Sequence, residues 1–262
     1  MDWITGKIDT DTLILWLYGP AGAGKSAIAQ TIAELCHKEG LLLATLRTDP
    51  TRNNVQRLVA TLMYKAILSI PATRALVEQI VEGDPLVFKT SLETQFKKLI
   101  IEPLIHLFQS GVFQQFRFPP LVILDGLDEC IDRNSQRILL EALSHSSRQH
   151  QLPLKFLVAS RPEQIINASF KSSALKTLTY RLPLNNDLNP DDDIRTFLLS
   201  EFEEIRNTHP VGSSIPSSWP SDEDIDRLVS KSSGQFIYGS LVIRFLRPFA
   251  TILAIACASC LV

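Results

Sequence analysis

Short, continuously apolar runs alternate along this chain with longer stretches in which apolar residues recur every three or four positions. The apolar runs are LILWL (Leu13–Leu17), LLLATL (Leu41–Leu46), LVILD (Leu121–Asp125) and KFLVAS (Lys155–Ser160), with a weaker fifth, TLTYRL (Thr177–Leu182). Unbroken hydrophobicity suits strands covered on both faces, and strands alternating with amphipathic helices predict a parallel sheet with helices packed on it. The helical spacing predicts one helix over Lys25–Lys38, stopping at Gly40 and burying Ile28, Ile32 and Leu35. A second covers Val55–Ile70. A third starts at the capping pattern Thr90-x-x-Glu93, ends near Gly111 and kinks at Pro103. A fourth, over Gln136–Ser144, presents Ile138, Leu139, Ala142 and Leu143 on one face.

Beyond Asn185 the strands stop. NPDDDIRTFLLSEFEEI puts Pro190 at a first helical position and Asp191, Asp192 and Asp193 in the first turn, where the helix dipole favours negative charge. That placement accounts for the three aspartates without a metal. VGSSIPSSWPS (Val211–Ser221) reads as a loop, and Ser221-x-x-Asp224 as the capping box of a further helix that runs to Gly234. The pattern therefore predicts a three-layer α/β domain over residues 1–184, a small helical domain over 185–247 and an apolar tail over 248–262.

Composition changes this picture little. Of 262 residues, 45% are hydrophobic and 21% charged, and the formal net charge is -2, so the balance gives no support to nucleic-acid binding. Cys257 and Cys260 form a C-x-x-C without a second pair or histidines at ligand spacing. With Cys36 and Cys130 they read as free thiols of a reducing compartment, in keeping with a cytoplasmic location. The N-terminus MDWITGKIDTDT has no apolar signal-peptide core. Phe249–Val262 carries no charge, yet it is shorter than the roughly 20 residues that span a bilayer; it reads as a buried helix or a tail rather than an anchor.

Candidate chemistry enters with LYGPAGAGKSAIAQT (Leu17–Thr31), which contains G-x-x-x-x-G-K-S as Gly19, Gly24, Lys25 and Ser26. It follows an apolar strand and opens a helix, the setting of a phosphate loop. Glycines let the backbone wrap an anion with its N–H groups, and the helix start adds unpaired N–H groups and the positive dipole end. The predicted phosphate-binding residues are Gly19, Pro20, Ala21, Gly22, Ala23, Gly24, Lys25, Ser26 and Ala27. Lys25 reaches the β- and γ-phosphates and the Ser26 hydroxyl ligates Mg2+. A triphosphate site also needs a carboxylate ending a neighbouring strand, and LVILDGLDEC supplies Asp125 for the metal. Asp128 and Glu129 follow as an acidic pair suited to polarising a water. ASRP places Arg161 at the end of the next strand, on the sheet edge where open α/β folds bind ligands and where it can sense the γ-phosphate.

The segments WLYGPAGAGKSAIAQTIAE, RTDPTRNNVQRLVATL, LVILDGLDEC, FLVASRPE and NPDDDIRTFLLSEFEEI, in that order, resemble the NACHT NTPases of the STAND class. The likeness is greatest to fungal NOD-like proteins with a nephrocystin-like phosphate-loop domain. It spans Leu13–Leu246. The resemblance implies a signal-transducing switch that is closed with ADP or GDP and opened for oligomerisation by ATP or GTP with Mg2+, with slow hydrolysis. It also implies protein partners, either a second copy or full-length relatives, and no membrane. By position, Lys25 and Ser26 match the Walker A residues, Asp125 the metal-holding Walker B aspartate, Asp128 and Glu129 the hydrolytic acids, and Arg161 the sensor arginine. The family's winged-helix and repeat domains have no counterpart in this sequence. KSSGQFIYGS (Lys231–Ser240) keeps Gly234 but lacks the proline of the turn that touches the base.

Two further readings are open at this stage. One is an interaction module that hydrolyses weakly or not at all and acts by contacting relatives; turnover by the isolated chain separates it from the switch. The other is a small-molecule kinase, which would bring an arginine-rich lid. Arg47 and Arg52 in LRTDPTRNN are the nearest candidates, and they read better as a surface loop after the second strand.

Overall fold

The computed structural model describes residues 1–9, 11–47, 55–115, 119–129, 133–150, 154–185, 189–209, 215–216 and 218–256, and side chains within these except at 55–58, 115, 146–150 and 248–256. Cys130, Cys257, Cys260, Arg52 and residues 211–214 and 217 of the loop Val211–Ser221 lie outside it. The elements run β1 (Ile14–Tyr18), α1 (Lys25–Lys38), β2 (Leu42–Arg47), α2 (Val55–Ser69), α3 (Thr73–Gly83), α4 (Leu92–Phe96), α5 (Glu102–Gln109), β3 (Leu121–Asp125), α6 (Arg133–His150), β4 (Lys155–Ser160), α7 (Gln164–Lys171), α8 (Ser173–Lys176), β5 (Thr179–Pro183), α9 (Pro190–Thr208), α10 (Asp222–Ser232) and α11 (Phe236–Ala256).

Among the described residues five strands join one sheet in the order β2-β3-β4-β1-β5, and their pairings are all parallel. This is the expected α/β architecture. Alternation along the strands sorts the core into two layers. Ile14, Trp16, Val122, Leu124, Phe156 and Val158 share one cluster with α2, α4, α5, α6 and α7. Leu15, Leu17, Ile123, Leu157 and Ala159, at the intervening positions, are equally buried and point to the face against which α1 packs. The structure turns α1 relative to the expectation. Ala29, Ala33 and Cys36 are its buried residues, while Ile28 and Ile32 are half-buried and Leu35 is exposed. Small side chains on the inner stripe allow the helix to lie close to the sheet.

The segment expected as one kinked helix is a composite. Ser91, one residue later than expected, caps α4 by accepting from the Thr94 N–H at 3.2 Å, while the Thr90 hydroxyl donates to the Val87 carbonyl. Between α4 and α5 lies a π-helical turn, Lys97–Ile101, in which the Glu102 N–H bonds back to the Lys97 carbonyl. Pro103 has no N–H to give, and the widened turn takes up the irregularity immediately before it. Helices α3, α7 and α8 were not expected. Near the N-terminal end of β4 Trp3 and Ile4 are buried, and the buried Lys155 ammonium donates to the Trp3 carbonyl and lies 4.5 Å over its ring.

Residues 1–19 and 25–183 form one compact unit; residues 20–24 and 184–262 form the other. The second is built on α9, α10 and α11, with Ile194, Leu198, Phe202, Ile225 and Leu228 in its core and Trp219 edge-on to Phe202 at 5.0 Å. Pro190 stands in the first turn of α9 with the three aspartates, as helix-start chemistry requires. The capping box at α10 is present in full: Ser221 accepts from the Asp224 N–H at 3.2 Å, and the Asp224 carboxylate accepts from the Ser221 N–H. Helix α11 continues through Pro248 to Ala256. Among the described residues no helix is long and apolar enough to cross a membrane. We expect Ser221→Ala to lower stability by about 1 kcal/mol, measured by chemical denaturation; an unchanged midpoint would show that the box contributes nothing to the helical unit.

Candidate functional site

The site begins where parallel strands end together. Register pairs Tyr18 with Ser160, Asp125 with Ala159 and Arg47 with Asp125, so the C-terminal ends of β1, β4, β3 and β2 form one edge of the sheet. Strand β4 stands between β1, which leads into Gly19, and β3, which ends at Asp125. Arg161, the residue after β4, therefore emerges between the two.

Residues 20–24 leave β1 in a tight turn, in which the Ala23 N–H bonds to the Pro20 carbonyl at 3.4 Å. Gly22 and Gly24 have φ of +78° and +86°, a region that residues with a Cβ rarely adopt. At Gly22 there is also no room: a Cβ there would come 2.5 Å from Ile237 Cγ2, within the same unit of the fold. Pro20 and Ala21 are exposed and Ala23 is half-buried. Ala27 lies in the exposed first turn of α1, its carbonyl accepting from the Thr31 hydroxyl.

The Lys25 ammonium reaches back to donate to the Gly19 carbonyl at 3.0 Å. Burial pulls its pKa below the usual lysine value, and the nearby carboxylates Asp128, Asp125 and Glu129 act against that pull. The Ser26 hydroxyl donates to Asp125 Oδ1 at 3.0 Å, across 99 positions of sequence. Asp125 is only 7% exposed. Its other oxygen lies 3.9 Å from Arg47 Nε. Arg47, expected in a surface loop, is instead the last residue of β2. No motif flags it; only the register between β2 and β3 does.

The chain turns sharply after Asp125. Gly126 has φ of +79°, and its N–H bonds to the Ala159 carbonyl at 2.9 Å, tying the turn to β4. A single 3-10 turn, Leu127–Glu129, follows, with Leu127 and the Asp128 side chain buried and Glu129 half-buried. Asp128 accepts twice from one residue: from the Arg161 N–H at 2.9 Å and from Arg161 Nε at 2.6 Å. This hydrogen-bonded carboxylate holds the Arg161 guanidinium above its ordinary pKa. Glu163 lies 3.8 Å from Arg161 Nη2.

Ser26, Lys25, Asp125, Asp128, Glu129 and Arg161 thus fall in one unit of the fold, on or next to the same sheet edge. Among the described residues no three His, Cys, Asp or Glu side chains converge on a cation site. The donor set of one hydroxyl and one carboxylate still fits Mg2+, which takes hard oxygen ligands and is commonly held by one or two protein groups together with phosphates and water.

A strand-loop-helix unit opening a parallel sheet, flanked by helices on both faces, defines a P-loop NTPase-like fold. The family model described as Nephrocystin 3, N-terminal, matches residues 1–161, more than half of the chain, and the protein belongs to that family. The matched region ends at Arg161. Comparison with curated proteins finds no match.

The φ of Gly126 carries a prediction. Gly126→Ala forces an L-residue into the left-handed region, at a cost of about 1–2 kcal/mol. The expected outcome is a lower denaturation midpoint for the first unit. An unchanged midpoint would mean that the turn after β3 accepts a side chain without strain.

Proposed function

We propose that this protein is a nucleotide-binding switch module of the NACHT type, which binds ATP or GTP with Mg2+ and hydrolyses it slowly. The observation that carries the reading is the 3.0 Å hydrogen bond between Ser26 Oγ and Asp125 Oδ1. A hydroxyl opening α1 and a buried carboxylate ending β3 lie within hydrogen-bond distance of each other, and that pairing supports a shared role in holding a phosphate-bound divalent cation. Membership of the nephrocystin-3 N-terminal family supports the same reading for residues 1–161.

Under this reading Gly19–Ala27 wraps the phosphates with backbone N–H groups and the start of α1 adds its dipole. Lys25 exchanges its bond to the Gly19 carbonyl for phosphate oxygens. When bound, Mg2+ supplies charge neutralisation on the terminal phosphates; Ser26 and Asp125 are the residues that would hold it. Glu129 orients the attacking water, and Arg161 answers the charge of the γ-phosphate. A switch of this kind acts on other chains, and the proposed partners are a second copy or longer relatives.

The isolated chain provides the test. Lys25→Ala is expected to abolish binding of both MgATP and MgGTP in calorimetry, while Glu129→Gln keeps binding and loses turnover. Tight triphosphate binding by the Lys25→Ala protein would overturn the phosphate-loop assignment. Identifying the nucleotide that co-purifies with the intact protein decides between adenine and guanine.

A further inference from the structure

The two acids that follow β3 look equivalent in sequence, and their surroundings are not. Asp128 has a side chain only 4% exposed, and each of its oxygens is taken by Arg161, one by the backbone N–H at 2.9 Å and one by Nε at 2.6 Å. The Arg161 side chain is 47% exposed. A buried carboxylate bonded in this way fixes both the exit of β4 and the plane of the guanidinium. An arginine held through Nε turns the Nη1 and Nη2 end of its fork away from Asp128; Glu163 lies 3.8 Å from Nη2, beyond hydrogen-bond distance, so that end can still donate to another anion. A carboxylate with both oxygens engaged and almost no exposure is poorly placed to accept a proton from water.

We propose that the acidic pair divides its labour: Asp128 is a positioning residue that aims Arg161, and Glu129 alone is the acid that faces the reacting water. This rests on the nucleotide reading above and assigns within it the specificity for tri- over diphosphate. Arg161 touches only the γ-phosphate in that reading, so Asp128 acts on triphosphate affinity through Arg161 and leaves diphosphate affinity alone. The fixed backbone N–H of Arg161 adds to this, because a strand exit free to shift would move the guanidinium with it.

The test is a double-mutant cycle on the intact chain. Binding of the β,γ-imido triphosphates and the diphosphates of adenosine and guanosine is measured for wild type, Asp128→Asn, Arg161→Ala, the double variant and Glu129→Gln. Thermal melting without nucleotide reports folding. Loss of one charge-assisted contact corresponds to about a tenfold fall in affinity. Asp128→Asn and Arg161→Ala should each lower triphosphate affinity by about that factor with diphosphate affinity unchanged, and the double variant should be no weaker than Arg161→Ala. Glu129→Gln should keep both affinities and lose turnover. Additive effects in the double variant, or an unchanged or increased triphosphate preference in Asp128→Asn, would overturn the division of labour while leaving the nucleotide reading intact. If Asp128→Asn does not fold, Arg161→Ala decides: an unchanged triphosphate preference overturns the proposal. Wild-type protein that binds none of these nucleotides overturns the nucleotide reading, and this inference with it.

Discussion

A buried carboxylate at the end of a central strand has to be answered by something. Asp125 is that group, and its answer is the Ser26 hydroxyl on one oxygen, with the Arg47 guanidinium approaching the other. Removing a carboxylate from water without such partners is costly. The sheet order makes the answer possible: β2, β3, β4 and β1 run parallel and end in register, so the chain delivers Arg47, Asp125, Arg161 and the turn to Ser26 to one edge. The rest of the first unit keeps those four ends level. The two apolar layers, one under α1 and one under α2 and α4–α7, hold the sheet from both sides.

Around that carboxylate the polar groups form short, directed links. Gly126 turns the chain and ties it to β4 through the Ala159 carbonyl, and the 3-10 turn that follows brings Asp128 onto Arg161. Residues 126–129 after β3 and the exit of β4 are therefore one hydrogen-bonded piece rather than two independent segments. Such a piece favours preorganisation: a guanidinium already fixed in plane gives up less conformational freedom when it meets an anion. Lys25 stands between burial, which disfavours its charge, and three carboxylates, which favour it. An incoming polyphosphate would shift that balance toward the charged form.

Much of this was legible in the sequence, for physical reasons. Strands β3 and β4 fall at the residues their unbroken apolar runs mark, because burial on both faces leaves no other composition. The glycine turn between β1 and α1 was legible because glycine at φ near +80° has few substitutes, and the Ser221-x-x-Asp224 box because its two hydrogen bonds are local. Long-range facts were not. The face of α1 was misjudged because hydrophobic size pointed to Ile28, Ile32 and Leu35, whereas close packing selected Ala29, Ala33 and Cys36. Helix α3 carries a readable pattern in Leu76, Val77, Ile80 and Val81, while α7 and α8 are too short for periodicity to register. Arg47 and the Asp128–Arg161 pair depend on which strands are neighbours, and no local spacing encodes that.

The central claim is that Ser26 and Asp125 together hold a nucleotide-bound divalent cation. It is tested most directly by electron paramagnetic resonance of Mn2+ substituted for Mg2+, with the purified chain titrated in the presence of ADP and of GDP. The account predicts Mn2+ binding that requires one of these nucleotides and is lost in both Ser26→Ala and Asp125→Asn proteins that remain folded. Mn2+ binding that persists unchanged in either variant, or that never depends on nucleotide, would contradict it.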